Sequence, residues 1–367
     1  MGGFRLALFV CLALSACVSG ESPQEKRAAA TGAGLSGSAT SAELHEHAIG
    51  GVKGKTIAWV PVGLGTPLTE EWTRRIKTGA EWLGMKFVLR DANWDPRREA
   101  EAVQSLINEH PDVLVVHNFD VQLLAKLIQQ AEQAGIYVIQ VNMVSSYKSD
   151  AFVGADFIEV GRRVAEDIVE ACGGGKASGK IAIVQGDLTS GVSLELMEGA
   201  NPIFQKHSEI QIVSNQAGNW DRTKAHDLTA TVLKQHPDLC ATWGFWDQMQ
   251  YGAATAVQEA GLAGKVKVFT SDHSTITCQA IGQGLITQSY GYSVPAQGEA
   301  IVTITNWLLQ SGLKPGTARA ALYSRLVKID KSNWNQPGMC YDGKGGGSES
   351  RPVNRRSRRC WRERAGC

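Results

Sequence analysis

Three short stretches set a carboxylate where a small molecule could be held: Gly218-Asn219-Trp220-Asp221-Arg222, Gly244-Phe245-Trp246-Asp247 and Ser271-Asp272-His273. In the first two a flat indole stands beside the acid, and the third offers a carboxylate alone. Such a set suits a polyhydroxylated ligand. Each hydroxyl both donates and accepts, while an indole face covers the apolar C–H patches of a ring. A structural reading competes with this one, because each Asp also stands at the start of an expected helix, where an Asp N-cap satisfies free backbone amides. For the acids both readings stay open; indoles recurring at strand ends favour a ligand.

The elements that must position these residues follow from hydrophobic periodicity. Short apolar runs at 56–60, 86–89, 113–116 and 137–141 alternate with amphipathic segments at 72–83, 97–108 and 121–133. Near-continuous apolar runs are expected of buried parallel strands, and amphipathic helices between them make right-handed crossovers. A helix at 158–172, ended by Gly173-Gly174-Gly175, opens a second set with strands at 181–184, 210–213, 239–243, 266–269 and 286–290. Helices at 193–204, 222–235, 249–260 and 276–281 lie between them. The expected fold is therefore α/β, with two doubly wound parallel-sheet lobes. A helix at 296–309 and one strand at 321–329 would carry the chain back between them. In doubly wound sheets ligands bind outside the carboxyl ends of the strands, and the three candidate loops lie there.

The flanks have a different texture. Arg5 and the apolar run 6–14 end at Leu14-Ser15-Ala16-Cys17, the pattern of an export signal too short to span a bilayer as a helix. Residues 18–52 read as a flexible linker, and His45-Glu46-His47 within it as solvated charge rather than a metal site. The net charge of +1 hides an asymmetry: residues 343–367 carry eight Lys and Arg against two Glu, so the first 342 residues have a net charge of −5. The body therefore presents no nucleic-acid surface, and the tail 341–367 reads as disordered and basic. Of the eight cysteines, Cys11 leaves with the signal. Cys172, Cys240, Cys278, Cys340, Cys360 and Cys367 allow fifteen connectivities, among which sequence does not choose.

Over roughly residues 54–330 the chain resembles the periplasmic sugar-binding proteins of ABC importers, type I fold, the ribose-binding group in particular. The resemblance is carried by Thr66-Pro67-Leu68-Thr69, His117-Asn118-Phe119-Asp120, Gly154-Ala155-Asp156, Glu198-Gly199, Trp220-Asp221-Arg222, Trp246-Asp247, Asp272 and Ser293-Val294-Pro295, in that order. The ending Leu14-Ser15-Ala16-Cys17 likewise resembles a bacterial lipobox, which implies that Cys17 is acylated and becomes the first residue of the mature chain. The type I fold implies a hinge of three crossings, with 53–157 and 294–320 in one lobe and 158–293 and 321–340 in the other. It also implies that Thr66, Leu68 and Thr69 line the first lobe's wall, where the ribose-binding group has Asn and two Phe. Asn142 and Met143 fall where that group has an Asp-Arg pair, and Leu196 where it has a second Arg. Trp220, Trp246 and Ser293 replace a Phe, an Asn and a Gln, while Asp272 keeps its carboxylate. The implied pocket is richer in indole and poorer in charge than a ribose site. It suits a less polar sugar, a deoxy sugar, a polyol or a cyclitol.

The expected function is capture of a small carbohydrate or polyol in the interlobe cleft and delivery to the membrane permease of an ABC importer. Expected ligand-binding residues are Thr66, Leu68, Thr69, Asn142, Met143, Trp220, Asp221, Trp246, Asp247, Asp272 and Ser293, with lipidation at Cys17. No cofactor, metal, nucleic acid or catalytic residue is expected. The expected state is a monomer in the periplasm or at the cell surface, joined to the membrane only by lipid. Two alternatives stand beside this: presentation of the ligand to a chemoreceptor or sensor kinase, and a secreted carbohydrate-active enzyme. The absence of Gly-x-Ser-x-Gly and of a phosphate-binding glycine loop counts against enzyme chemistry. A sugar-responsive repressor would need a DNA-reading helix where the export signal stands.

Overall fold

The computed structural model describes residues 40–344, so Cys17, Cys360, Cys367 and the Arg-rich part of the tail lie outside the described residues. The described residues fall into two compact units, one ending at Gly51 and the other beginning at Val52. In the first, the segment expected to be linker contains helix α1, Ser41–Gly50. Its start is a capping box: Thr40 accepts from the Glu43 amide while the Glu43 carboxylate accepts from the Thr40 amide.

The second unit is a duplicated architecture. Strands β1 (Thr56–Val60), β2 (Lys86–Leu89), β3 (Val113–Val116), β4 (Tyr137–Val141), β5 (Ala151–Gly154) and β11 (Ala320–Tyr323) form one sheet in the order β11-β5-β4-β3-β1-β2. Strands β6 (Lys180–Gln185), β7 (Gln211–Ala217), β8 (Ala241–Gly244), β9 (Lys267–Ser271), β10 (Gln288–Gly291) and β12 (Val327–Asp330) form the other, in the corresponding order β12-β10-β9-β8-β6-β7. All pairs are parallel except β12, which runs antiparallel to β10 at the edge. The single strand expected at 321–329 is thus two strands, one in each sheet. Residues 321–323 belong with the first lobe's sheet, not the second's.

The helices begin where the sequence supplies caps. Thr66 opens α2 (Pro67–Trp82), Asp95 opens α3 (Pro96–Glu109), Ser190 opens α6 (Gly191–Lys206) and Asp221 opens α7 (Arg222–Gln235), each accepting from amides of the first turn. Pro67 and Pro96 take first-turn positions, where no amide donor is needed. The central strands read as apolar runs because helices cover both faces, and β3 is buried throughout. The edge strand β7 is largely exposed, in keeping with its polar residues.

The chain crosses between lobes after β5 into α5 (Phe157–Cys172), after β10 into α10 (Val294–Gln310), and from β11 to β12. Helix α10 packs on α2 and β5 of the first lobe, whereas α5 packs on α6 of the second. Two disulfides, Cys172–Cys240 and Cys278–Cys340, settle four of the six cysteines. The second ties α9 (Thr275–Gln283) to the segment after β12. Tyr341, the first residue of the expected tail, is consequently buried, and its amide donates to the His273 carbonyl.

Candidate ligand-binding site

The loops at the strand carboxyl ends of both lobes meet around one cavity. The first lobe contributes Thr66, Leu68 and Thr69 at the start of α2, Trp94 after β2, His117 and Phe119 after β3, and Asn142 and Met143 after β4. The second contributes Trp220 after β7, Phe245 and Trp246 after β8, and Tyr292 after β10. In each sheet the strand order reverses at the pair β1/β3 or β6/β8, the place where doubly wound sheets open a crevice.

Two of the indoles are placed by the same local device. Asn93-Trp94-Asp95 and Asn219-Trp220-Asp221 stand at equivalent points of the two lobes, with the Asn and Trp of each in the left-handed region (φ 51° and 60°; 53° and 60°). Each Asp then caps the next helix. The indoles lie on glycine backbone: a Cβ at Gly63 would overlap Trp94, and one at Gly186 would overlap Trp220. Across the cleft, Trp94 and Trp246 have ring centroids 6.2 Å apart at 36°, and Trp220 meets Trp246 at 6.4 Å, nearly edge-on. Phe119 stands against Trp94 at 6.4 Å.

Seven of the eleven expected ligand-binding residues line this cavity: Thr66, Leu68, Thr69, Asn142, Met143, Trp220 and Trp246. The other four do not. Asp221 is the exposed cap of α7 and accepts from the Lys224 amide at 2.7 Å. Asp247 is fully buried behind Trp246, where one oxygen accepts from the Ser274 amide at 3.0 Å and from the hydroxyls of Ser274 and Thr277. Asp272, also buried, accepts from the Tyr341 hydroxyl at 2.9 and 3.0 Å, the His273 amide at 2.7 Å and the Trp246 indole N–H at 3.1 Å. Ser293 sits at the second crossing with φ 52° and lines a separate cavity with Arg74, Arg75 and Tyr341. The carboxylates expected to face a ligand are therefore engaged with protein donors, and Asp272 orients an indole that lines the cavity. Leu196 is buried in α6 and lies off the cavity.

Electrostatics accord with a wall of low charge. Burial, then the neighbouring Asp272, pushes Asp247 up to about 7. Burial carries the Tyr292 and Tyr341 hydroxyls well above the ordinary tyrosine range, so both are neutral donors. His117 is held down to about 3 by burial alone and is a neutral imidazole. Asn142 is fixed by Gln297 of α10, whose amide nitrogen donates to the Asn142 side-chain oxygen at 3.3 Å and to the Ser324 hydroxyl at 3.0 Å. Gln297 also accepts from the Trp72 indole at 3.2 Å, so one buried amide braces the site's wall against two crossings.

Sequence reasoning missed Trp94, His117, Phe119, Phe245 and Tyr292 as lining residues. For Trp94 a signal exists, since Asn-Trp-Asp occurs twice at corresponding points of the two strand sets. The cavity is small, about 30 Å3 in volume. A ring held between two aromatic faces needs centroids roughly 7–8 Å apart, twice the ordinary carbon–carbon contact distance. The 6.2 Å between Trp94 and Trp246 is shorter than that. A ligand ring would thus enter only if the lobes part or the indoles turn.

Two α/β lobes on a three-crossing hinge, with an aromatic cleft between their strand ends, define a cleft-closing binding protein. Comparison with known proteins agrees. The family model described as a periplasmic binding protein domain matches residues 57–314, and the chain belongs to that family. It is a family of binding proteins rather than enzymes. The D-allose-binding periplasmic protein of Escherichia coli is 27% identical over 219 residues, 57% of this chain and 70% of that protein. The ribose import binding protein of Bacillus subtilis is 26% identical over 199 residues, 54% of this chain and 64% of that protein. Among solved structures, the Caulobacter myo-inositol binding protein bound to myo-inositol superposes with a TM-score of 0.69 at 23% identity, covering 76% of this chain and 94% of that one.

Proposed function

We propose that this chain is the solute-binding component of an ABC importer, which captures a sugar or polyol between its lobes and delivers it to a membrane permease. The observation that carries the reading is the convergence of Trp94 from one lobe with Trp220 and Trp246 from the other at the strand carboxyl ends. A closed state that gains contacts from both lobes is favoured by its ligand in proportion to that differential affinity. Relatives named for D-allose, ribose and xylitol support this class of ligand. The indole-rich, charge-poor wall narrows it toward neutral and less polar members: deoxy sugars, polyols or cyclitols. Thr66, Leu68, Thr69, Asn142, Met143, Trp220, Trp246 and Trp94 would touch the ligand, with Asp272 acting through the Trp246 N–H. Calorimetric titration with D-allose, D-ribose, xylitol and myo-inositol tests the reading: at least one should bind with a saturable heat, and none binding would refute it.

The same proposal places the protein outside the cytoplasm on a lipid anchor at Cys17. The lipobox-like ending and two disulfides in the second unit support an exported, oxidising setting. A tether would keep the binding protein near its permease, so that effective concentration replaces diffusion. Fractionation of Cys17→Ser checks it: the variant should leave the membrane, and retention there would exclude the anchor.

A further inference from the structure

The cavity wall holds few polar side chains, and most of them are engaged elsewhere. The Thr66 and Thr69 hydroxyls bond each other at 3.0 Å, and the Asn142 oxygen accepts from Gln297. His117 differs. It is 1% exposed, its ring packs edge-on against Trp72 at 5.0 Å, and neither ring nitrogen has a hydrogen-bond partner in the protein. Ten buried side-chain polar atoms lack a partner among the described residues, and the two on His117 are the only ones that belong to a residue lining the cavity.

An unpaired buried polar group costs about what a lost hydrogen bond costs, and native proteins carry few of them. Where such a group borders a binding cleft, a bound molecule can supply the missing partner. We propose that a ring nitrogen of His117 is the hydrogen-bonding anchor, on the first-lobe side of the cleft, for a hydroxyl of a neutral ligand. This rests on the reading of the cleft as the ligand site and adds to it the residue that recognises a hydroxyl. A neutral imidazole carries one donor and one acceptor nitrogen, so it can serve a hydroxyl in either sense. It offers a carboxylate or phosphate no charge to pair with, which confines the ligand to uncharged hydroxyl compounds.

The two consequences have opposite signs, and that separates recognition from architecture. His117→Leu replaces two unpartnered polar atoms with a side chain of similar volume, so the ligand-free variant should melt at or above the wild-type temperature. Its affinity in calorimetry for whichever of D-allose, D-ribose, xylitol or myo-inositol binds wild type should fall tenfold or more. His117→Gln, which restores a donor and an acceptor, should recover part of the loss. A Leu variant that binds within twofold of wild type overturns the assignment. So does one that melts several degrees lower, because the imidazole would then be a structural group. If wild type binds none of the four probes, the proposed function fails, and the melting comparison still decides whether His117 is unsatisfied in the fold.

Discussion

Glu99 is the most strongly perturbed acid on the first lobe's side of the site. It is wholly buried on α3, with one oxygen accepting from the Phe119 amide at 3.3 Å and the other unpartnered. Burial pushes its carboxyl up to about 8 from an ordinary 4.5. The folded form therefore keeps a proton that the unfolded chain releases. The associated stability is fully present below pH 4.5 and is lost as pH rises through 8. Asp247, raised to about 7, acts in the same direction. His117 acts on the acid side, where its depressed value makes stability fall as pH drops from 6.5 toward 3. Above pH 6.5 the raised acids dominate these three. Urea unfolding at pH 7 and pH 8.5 should show wild type losing stability, and Glu99→Gln losing less, with a difference on the order of 1 kcal/mol for each unit of pH traversed below the folded value. Equal slopes for the two proteins would show that Glu99 is not held protonated.

The αL pair Asn-Trp followed by a capping Asp carries the indoles at the level of the elements. The glycines after β1 and β6 make room for it. Gly186→Ala should push the Trp220 ring off its seat and cost roughly 1–3 kcal/mol of stability, as overpacking does, together with a drop in affinity for any bound sugar or polyol. Melting and titration of one variant check both, and an unchanged protein would show that the seat is not needed. The same level explains what sequence could reveal. The alternation of buried strands and amphipathic helices was legible because parallel strands covered on both faces read as apolar runs. β5, Ala151–Gly154, begins and ends on small residues, which leaves only Phe152-Val153 as an apolar signal. Within 321–329 the polar pair Ser324-Arg325 falls between β11 and β12, but no local pattern says that the two halves join different sheets. Asp at a strand end is ambiguous by its chemistry, since a carboxylate that could meet a hydroxyl also caps a helix, as Asp221 does.

At the scale of the molecule, distant residues decide local roles. Asp272 belongs to Tyr341 because the Cys278–Cys340 disulfide brings the segment after β12 back onto α9. No local pattern around Asp272 announces a partner 69 residues away. Each disulfide spans more than sixty residues, and closing a loop of that length contributes about 4 kcal/mol in the chain-entropy account. Both cross-links join parts of the second lobe, and the Cys278–Cys340 link holds Tyr341 against the Asp272 carboxylate that accepts from the Trp246 indole. The central claim is that both lobes grip one ligand with their indoles. Titration calorimetry on wild type, Trp94→Ala and Trp220→Ala, with whichever of D-allose, D-ribose, xylitol or myo-inositol binds wild type, tests it most directly. Each variant should lose tenfold or more in affinity, about 1.4 kcal/mol, although the two residues lie in different lobes. Undiminished binding by either variant would contradict a ligand held between them.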